Sequence, residues 1–182
     1  KLGIDEPRLL TKNQATGAVN TWKDETLGAS ERLSGLAGMV LQTSDEGQQR
    51  MIYDQLLDSG MPPETQGVMA AMVRGDVGAT QTLIRASLTD PAKLGVKFPT
   101  DLAESIQAKI FDENAVGDVI YGITGGSTEN LARVAADQAL IERAVKLRLV
   151  DGSANGDVNR AIDLTIKDMY GDIQLVTAPG VK

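Results

Sequence analysis

The sequence predicts an all-α protein, a bundle of about eight helices joined by short turns that glycine and proline delimit. Two observations support this fold class. Along most of the 182-residue chain, apolar residues recur at the spacing of a helix that is buried on one side. Asp, Ser or Thr precedes most of these segments and Gly or Pro follows them, and these are the usual helix start and stop signals. A chain of this length can bury a core without disulfides or structural metals.

The chain is predicted to divide into four parts. Residues 1–22 show no sustained helical period and contain two glycines and a proline, so we expect an extended arm or linker there. An N-terminal helical half, residues 23–95, and a C-terminal helical half, residues 96–171, follow, and "KLGVKFP" is the best linker candidate between them. Residues 172–182 form a short extended tail, in which "DIQLVT" alternates loosely enough for a short strand.

The first helix is predicted within residues 25–42. Gly28, Gly35 and Gly38 weaken it, each by about 1 kcal/mol relative to alanine, but they would let another helix approach closely. The apolar residues of this segment share one helical face: Leu33, Leu36, Ala37, Val40 and Leu41.

Short signals delimit the next three helices. Ser44 is the expected cap of the second, which ends at Gly60. The third is expected to begin at Pro63, because proline is favoured in the first helical position, and Gly75 ends it. Asp76 then caps the fourth helix.

The C-terminal half shows the same punctuation. Thr100 caps "DLAESIQAKIF", and Asp112 caps the shorter "ENAVGDVIYGI". A long helix is predicted from about Glu129 to Val150, and the turn-rich "DGSANGD" follows it. Asp157 caps the last helix, whose apolar face is formed by Val158, Ala161, Ile162, Thr165, Ile166, Met169 and Tyr170.

The segment "GITGGST", residues 122–128, raises the possibility of a phosphate-binding loop. A Walker loop requires a lysine where Gly126 stands, and a dinucleotide-binding loop requires a different glycine spacing. Gly125 or Gly126 instead suits the left-handed residue that ends a helix, and Ser127 or Thr128 suits the cap of the next one. We therefore predict a corner between two helices.

The long helix carries two apolar stripes. The first consists of Leu131, Val134, Ile141, Val145 and Leu149, and the second of Leu140, Leu147 and Val150. Gln138 interrupts the first stripe, so the pattern does not sustain the heptads of a coiled coil. A central helix with neighbours on two sides is the favoured interpretation. An oligomer seam is the alternative.

Composition excludes several function classes. The chain has no cysteine and no histidine, which removes thiol chemistry, Ser-His catalysis and imidazole metal sites. Its 18 basic and 25 acidic residues give a net charge of −7, whereas a protein that binds nucleic-acid phosphates directly normally has a basic excess. Apolar runs such as "VMAAMV" are too short to span a membrane, and no signal peptide is visible.

Glu104 is the one carboxylate that we considered for catalysis. "AESIQ" around it and "GLAGMVLQ" faintly resemble parts of lytic transglycosylases, but the two fragments occur in the reverse order. A glutamate in the first turn of a helix is also common, because it is stabilised by the helix dipole. We therefore predict that the protein is not an enzyme, with no catalytic, cofactor-binding or metal-binding residue and no cofactor.

Two segments resemble parts of the large internal virion proteins of tailed bacteriophages and related prophages. They are "DEGQQRMIYDQLLDSGMPPETQGVMAAMVRGD", residues 45–76, and "VNRAIDLTIKDMYGDIQLV", residues 158–176. That family forms a core or channel inside the capsid and is associated with genome ejection. The resemblance implies a structural role, a location in the virion after assembly in the host cytoplasm, and contacts with other virion proteins or with further copies of the chain. It carries over no catalytic residue.

The leading expectation is therefore a non-enzymatic structural or assembly protein, a helical segment of a phage internal virion protein. The chain lacks an initial methionine, so it is either processed or part of a longer polypeptide, and we expect the second. A free-standing helical adaptor or regulator in the cytoplasm is the alternative. An enzyme that uses carboxylates or hydroxyls is the third possibility, and ligands bound to clustered acids would support it.

Overall fold

A computed structural model describes residues 9–111 and 128–171, and these residues form eight α-helices. A short 3-10 helix spans Pro91–Leu94, and no strand occurs in these residues. The all-helical prediction is confirmed. The helices are α1 (Lys12–Lys23), α2 (Ala29–Val40), α3 (Glu46–Asp58), α4 (Thr65–Val73), α5 (Val77–Leu88), α6 (Leu102–Phe111), α7 (Thr128–Asp151) and α8 (Val158–Tyr170).

The prediction of an extended arm for residues 1–22 is wrong for the part of that range that forms α1. Thr11 and Gln14 form a capping box, in which the Gln14 backbone N–H donates to Thr11 Oγ1 at 3.2 Å and the Thr11 backbone N–H donates to Gln14 Oε1 at 2.8 Å. Gly17, which suggested an arm, lies on the solvent side of the helix. The buried face recurs at helical spacing: Ala15, Ala18, Val19 and Trp22.

Aspartate side chains begin three of the other helices. Asp45, Asp76 and Asp157 each accept a hydrogen bond from the backbone N–H three residues further on, at 2.8, 2.9 and 3.1 Å. The caps at Asp76 and Asp157 confirm the prediction, whereas the predicted cap Ser44 is one residue too early. Pro63 lies in the turn before α4 and is not its first residue.

Glycines with positive φ follow several helices, and the predicted helix ends at Gly60 and Gly75 are confirmed. Gly60 and Gly75 have φ values of 96° and 73° and follow α3 and α4, and Gly171, with φ of 76°, is the C-terminal cap of α8. Glycine adopts this conformation without the steric strain that a side chain introduces. These turns are short, so consecutive helices fold back on one another.

α7 is the central helix. It packs against α4, α5, α6, α8 and the 3-10 helix. Most stripe residues whose side chains the structure describes are buried, with Leu140, Ile141 and Val145 at 0% exposure and Leu147 at 6%, while Val150 near the end is 40% exposed. The interpretation of α7 as a core helix is confirmed, because its neighbours within the chain cover these residues.

The two helical halves share one hydrophobic core. α4 and α5 of the first half pack against α7 and α8 of the second. The predicted linker "KLGVKFP" runs beside α7, where the Lys146 ammonium lies 5.5 Å from the centre of the Phe98 ring. Three predictions lie outside the described residues: the helix after Asp112, the glycine corner before Thr128, and the strand within residues 172–182.

One close helix contact involves a glycine that the sequence did not single out. A Cβ atom at Gly67, buried in α4, would lie 2.8 Å from Leu140 Cδ2, 2.8 Å from Met169 Sδ and 2.9 Å from Met169 Cε. Of the predicted glycine series, Gly35 does permit a close contact, since its Cβ would lie 3.1 Å from Thr21 Cγ2 of α1. Gly38 faces open space. The glycine series therefore does not form one close helix crossing.

Candidate functional site

A group of interacting polar side chains lies around the C-terminal end of α8. It is built from α4 and from the consecutive helices α7 and α8, and we call it the helix-end cluster. α4 contributes the residue at its C-terminal cap, α7 contributes two side chains, and α8 contributes two more. Its members are Arg74, Asp137, Arg148, Asp168 and Tyr170.

Arg74 closes the end of α8. Its Nη1 donates to the carbonyl oxygen of Met169 at 3.0 Å, and its Nη2 donates to that of Asp168 at 2.6 Å. The last carbonyls of a helix have no partner within the helix and carry partial negative charge, so a guanidinium satisfies and stabilises them. Arg74 therefore joins the end of α4 to the end of α8.

Arg148 and Asp168 form an ion pair between α7 and α8. Arg148 Nη2 donates to Asp168 Oδ2, and the two side chains are only 11% and 16% exposed. Burial raises the pKa of Asp168 above its ordinary value, and the nearby Arg148 only partly opposes this effect. Arg148 Nε is buried and has no hydrogen-bond partner among the described residues. The pair therefore joins α7 and α8 at a largely buried site.

Tyr170 makes the second bond between α8 and α7. Its hydroxyl donates to Asp137 Oδ2 at 3.1 Å. Burial raises the pKa of Tyr170, and the neighbouring carboxylate of Asp137 raises it further, because both disfavour a phenolate. Tyr170 therefore stays protonated, as a hydrogen-bond donor.

The arrangement is better suited to holding helices together than to catalysis. The guanidinium groups of Arg74 and Arg148 donate to α8, and the raised pKa of Tyr170 makes it a poor nucleophile. Other ion pairs also join helices, including Arg143 with Glu64 at 3.5 Å. Within residues 9–111 and 128–171, no group of three or more acidic side chains is placed to hold a metal ion.

Sequence reasoning missed the helix-end cluster. Arg74 carries only the signal of a basic residue before a helix-ending glycine, and that pattern does not identify the helix it will contact. Glu104, the carboxylate that the sequence did single out, is exposed in the first turn of α6. Asp45, the residue before α3, serves as its cap.

Comparisons with protein families, with curated proteins and with solved structures found no match. Among the helices of the described residues, none has both the length and the apolar character needed to cross a membrane.

Proposed function

We propose that the protein is a non-enzymatic structural or assembly protein, a helical segment of an internal virion protein of a tailed phage. One observation carries the proposal. The two segments that resemble that family, residues 45–76 and 158–176, are far apart in sequence, yet they supply α4 and α8, which pack together. Arg74 of the first segment donates to two carbonyl oxygens of the second. The two segments that carry the resemblance therefore pack together as one part of the fold.

The chemistry of the chain agrees with an assembly role. It has no histidine or cysteine, and the arginines of the helix-end cluster donate to neighbouring helices. The net charge of −7 favours contacts with protein over direct contacts with DNA phosphates. We propose other virion proteins, or further copies of the chain, as its partners, and the virion as its location after assembly in the host cytoplasm.

A second candidate, a free-standing helical adaptor, is favoured by a different observation. Leu140 and Leu147, on the second apolar stripe of α7, are 0% and 6% exposed inside the chain. The described part of α7 therefore does not require an oligomer for its burial. An adaptor of this type would be monomeric and would bind its partner through another surface.

The test is the protein content of purified particles. Phage or induced-prophage particles from the source organism are purified by density gradient, and their proteins are identified by mass spectrometry, with the major capsid protein as positive control. We expect peptides of this chain at a constant ratio to the capsid protein across the particle peak. Their absence from particles, together with a monomeric chain in the lysate at all concentrations by light scattering, would refute the virion proposal and support the adaptor.

A Glu104→Gln variant tests the enzyme alternative. Because Glu104 is exposed on a first helical turn, we expect particle assembly and any peptidoglycan-cleaving activity of the particles to be unchanged. Loss of such an activity from particles that still contain the folded variant would show that the residue is catalytic.

A further inference from the structure

The turn between α7 and α8 contains an exposed Asn-Gly pair in an unusual backbone conformation. Asn155 has φ of 54°, the one positive value for a residue other than glycine in the described part of the chain, and Gly156 has φ of 75°. The Asp157 backbone N–H donates to the Ala154 carbonyl at 3.0 Å. Two central residues with positive φ and this hydrogen bond define a type I′ turn, for which Asn-Gly is the preferred sequence.

Asn155 and Gly156 are exposed to water, while Ala154 is fully buried and anchors the turn to the core. Asparagine is a thermolabile residue, and its side-chain amide can be attacked by the backbone nitrogen of the next residue. Glycine offers that nitrogen without a side chain to shield it. Sequence pattern and exposure therefore place the reactive pair and the water that it requires in one turn.

We propose that Asn155 is a site of spontaneous deamidation and that opening of this turn sets the rate. The Gly156 nitrogen forms a bond to Asn155 Cγ and loses its proton to solvent, and the side-chain nitrogen leaves as ammonia. Water then opens the cyclic imide at either carbonyl, which gives aspartate or isoaspartate. The net reaction consumes one water, releases one ammonia and involves no oxidation or reduction.

The fold opposes the first step. Ring closure requires the backbone of Asn155 to rotate until the Gly156 nitrogen faces the Asn155 side chain. The hydrogen bond between Ala154 and Asp157 and the packing of Ala154 hold the backbone in the turn conformation. The reaction therefore proceeds from locally opened molecules, whose population depends on the stability of this turn.

The product alters the start of α8. Deamidation adds a negative charge beside Asp157, whose carboxylate caps that helix. Isoaspartate also inserts one additional carbon into the main chain, which is incompatible with the hydrogen bond of the two-residue turn. The modification thus loosens the connection between α7 and α8 in ageing molecules.

Peptide mass spectrometry after incubation at mildly alkaline pH tests the proposal, in native buffer and in concentrated urea. In urea, we expect Asn155 to deamidate several-fold faster than Asn13, Asn20 and Asn159, which are followed by residues with side chains. We expect Asn155 to react several-fold more slowly in native buffer than in urea. Equal rates for the four asparagines in urea would refute the site, and equal rates of Asn155 in buffer and urea would refute control by the turn.

Two variants separate the chemistry from the fold. Gly156→Ala should slow deamidation in urea, because its Cβ shields the attacking nitrogen. Ala154→Gly removes the buried methyl group but leaves the Asn-Gly pair intact, so it should accelerate deamidation in buffer and leave the urea rate unchanged. An unchanged rate of the folded Ala154→Gly variant in buffer would contradict the gating role, and if this variant does not fold, the wild-type comparison of buffer with urea decides.

Discussion

Replacement of Gly67 by alanine tests how closely α4, α7 and α8 pack. The new Cβ would lie 2.8 Å from Leu140 Cδ2 and 2.8 Å from Met169 Sδ. Carbon atoms in good contact are about 3.5–4.0 Å apart, so these side chains must move before the methyl group fits. Both contacting groups are the ends of flexible side chains, and the core around them is buried. We therefore expect strain, but not a loss of the fold.

Two effects of opposite sign determine the size of the change. Alanine is favoured over glycine inside a helix by about 1 kcal/mol. Overpacking of a buried site costs about 1–3 kcal/mol. We expect the cost to exceed the gain, so that Gly67→Ala lowers the free energy of unfolding by about 1 kcal/mol.

Matched substitutions isolate the contact. Gly17 in α1 and Gly38 in α2 are exposed helical glycines whose Cβ atoms would meet nothing within 4 Å. Alanine at either position should raise stability by about 0.5–1 kcal/mol. In a Met169→Val background, which lacks the Sδ and Cε atoms, Gly67→Ala should be less destabilising than in the wild-type chain, because part of the obstruction is gone.

The assay is urea unfolding followed by circular dichroism and by the fluorescence of Trp22, the single tryptophan, which is 5% exposed. Coincident transitions from the two probes establish that unfolding is two-state. If Gly67→Ala stabilises the protein as much as Gly38→Ala does, the close contact of α4 with α7 and α8 is wrong.

The other predictions concern the same three helices. Arg74→Met should lower the unfolding free energy by about 1–3 kcal/mol, because two charge-assisted hydrogen bonds to α8 are lost. The control Arg50→Met, on the exposed side of α3, should change it little. Equal effects of the two variants in urea unfolding would contradict the role of Arg74 at the end of α8. Val145→Asp should cost at least about 3 kcal/mol, since it buries an unpaired charge at a position with 0% exposure; a variant with wild-type thermal stability would show that water reaches this face. Folding raises the pKa of Asp168, so the folded chain binds a proton at this carboxylate more tightly than the unfolded chain does. The stability gained from this proton is fully present below the ordinary pKa of 3.8 and is lost as pH rises through the raised pKa. The stability of the wild type relative to Asp168→Asn should therefore increase as pH falls from neutrality, and a pH-independent difference would contradict the shift.

Much of the helical architecture was predictable because its signals are local. The cap at Asp76, the cap at Asp157 and the end of α4 at Gly75 each depend on a few neighbouring residues. α1 was missed, although its buried face recurs at helical spacing, because glycine and proline near the N-terminus suggested an arm. Gly17 lies on the exposed side of that helix, where it lowers the helix propensity of the segment but does not disturb the packing.

The helix-end cluster was not predictable from the sequence because its bonds join residues that are distant along the chain. Arg74 lies 94 residues from Asp168, and Tyr170 lies 33 residues from Asp137. Such pairs form only after α4, α7 and α8 have packed, and a spacing pattern within one helix does not encode which helix will be its neighbour. Gly67 was not predictable for the same reason, because the residues that crowd it, Leu140 and Met169, lie on other helices.

The sequence alone determined that this is an acidic, all-helical chain without thiol or imidazole chemistry, because composition, helical period and capping residues are properties of short segments. The tertiary structure decided which helices meet and which faces they bury. Leu140 is buried inside the folded chain, although α7 by itself would leave it exposed on an apolar stripe. The tertiary structure also brought the raised-pKa carboxylate of Asp168 against Arg148, since burial and ion pairing depend on neighbours that only the folded chain supplies.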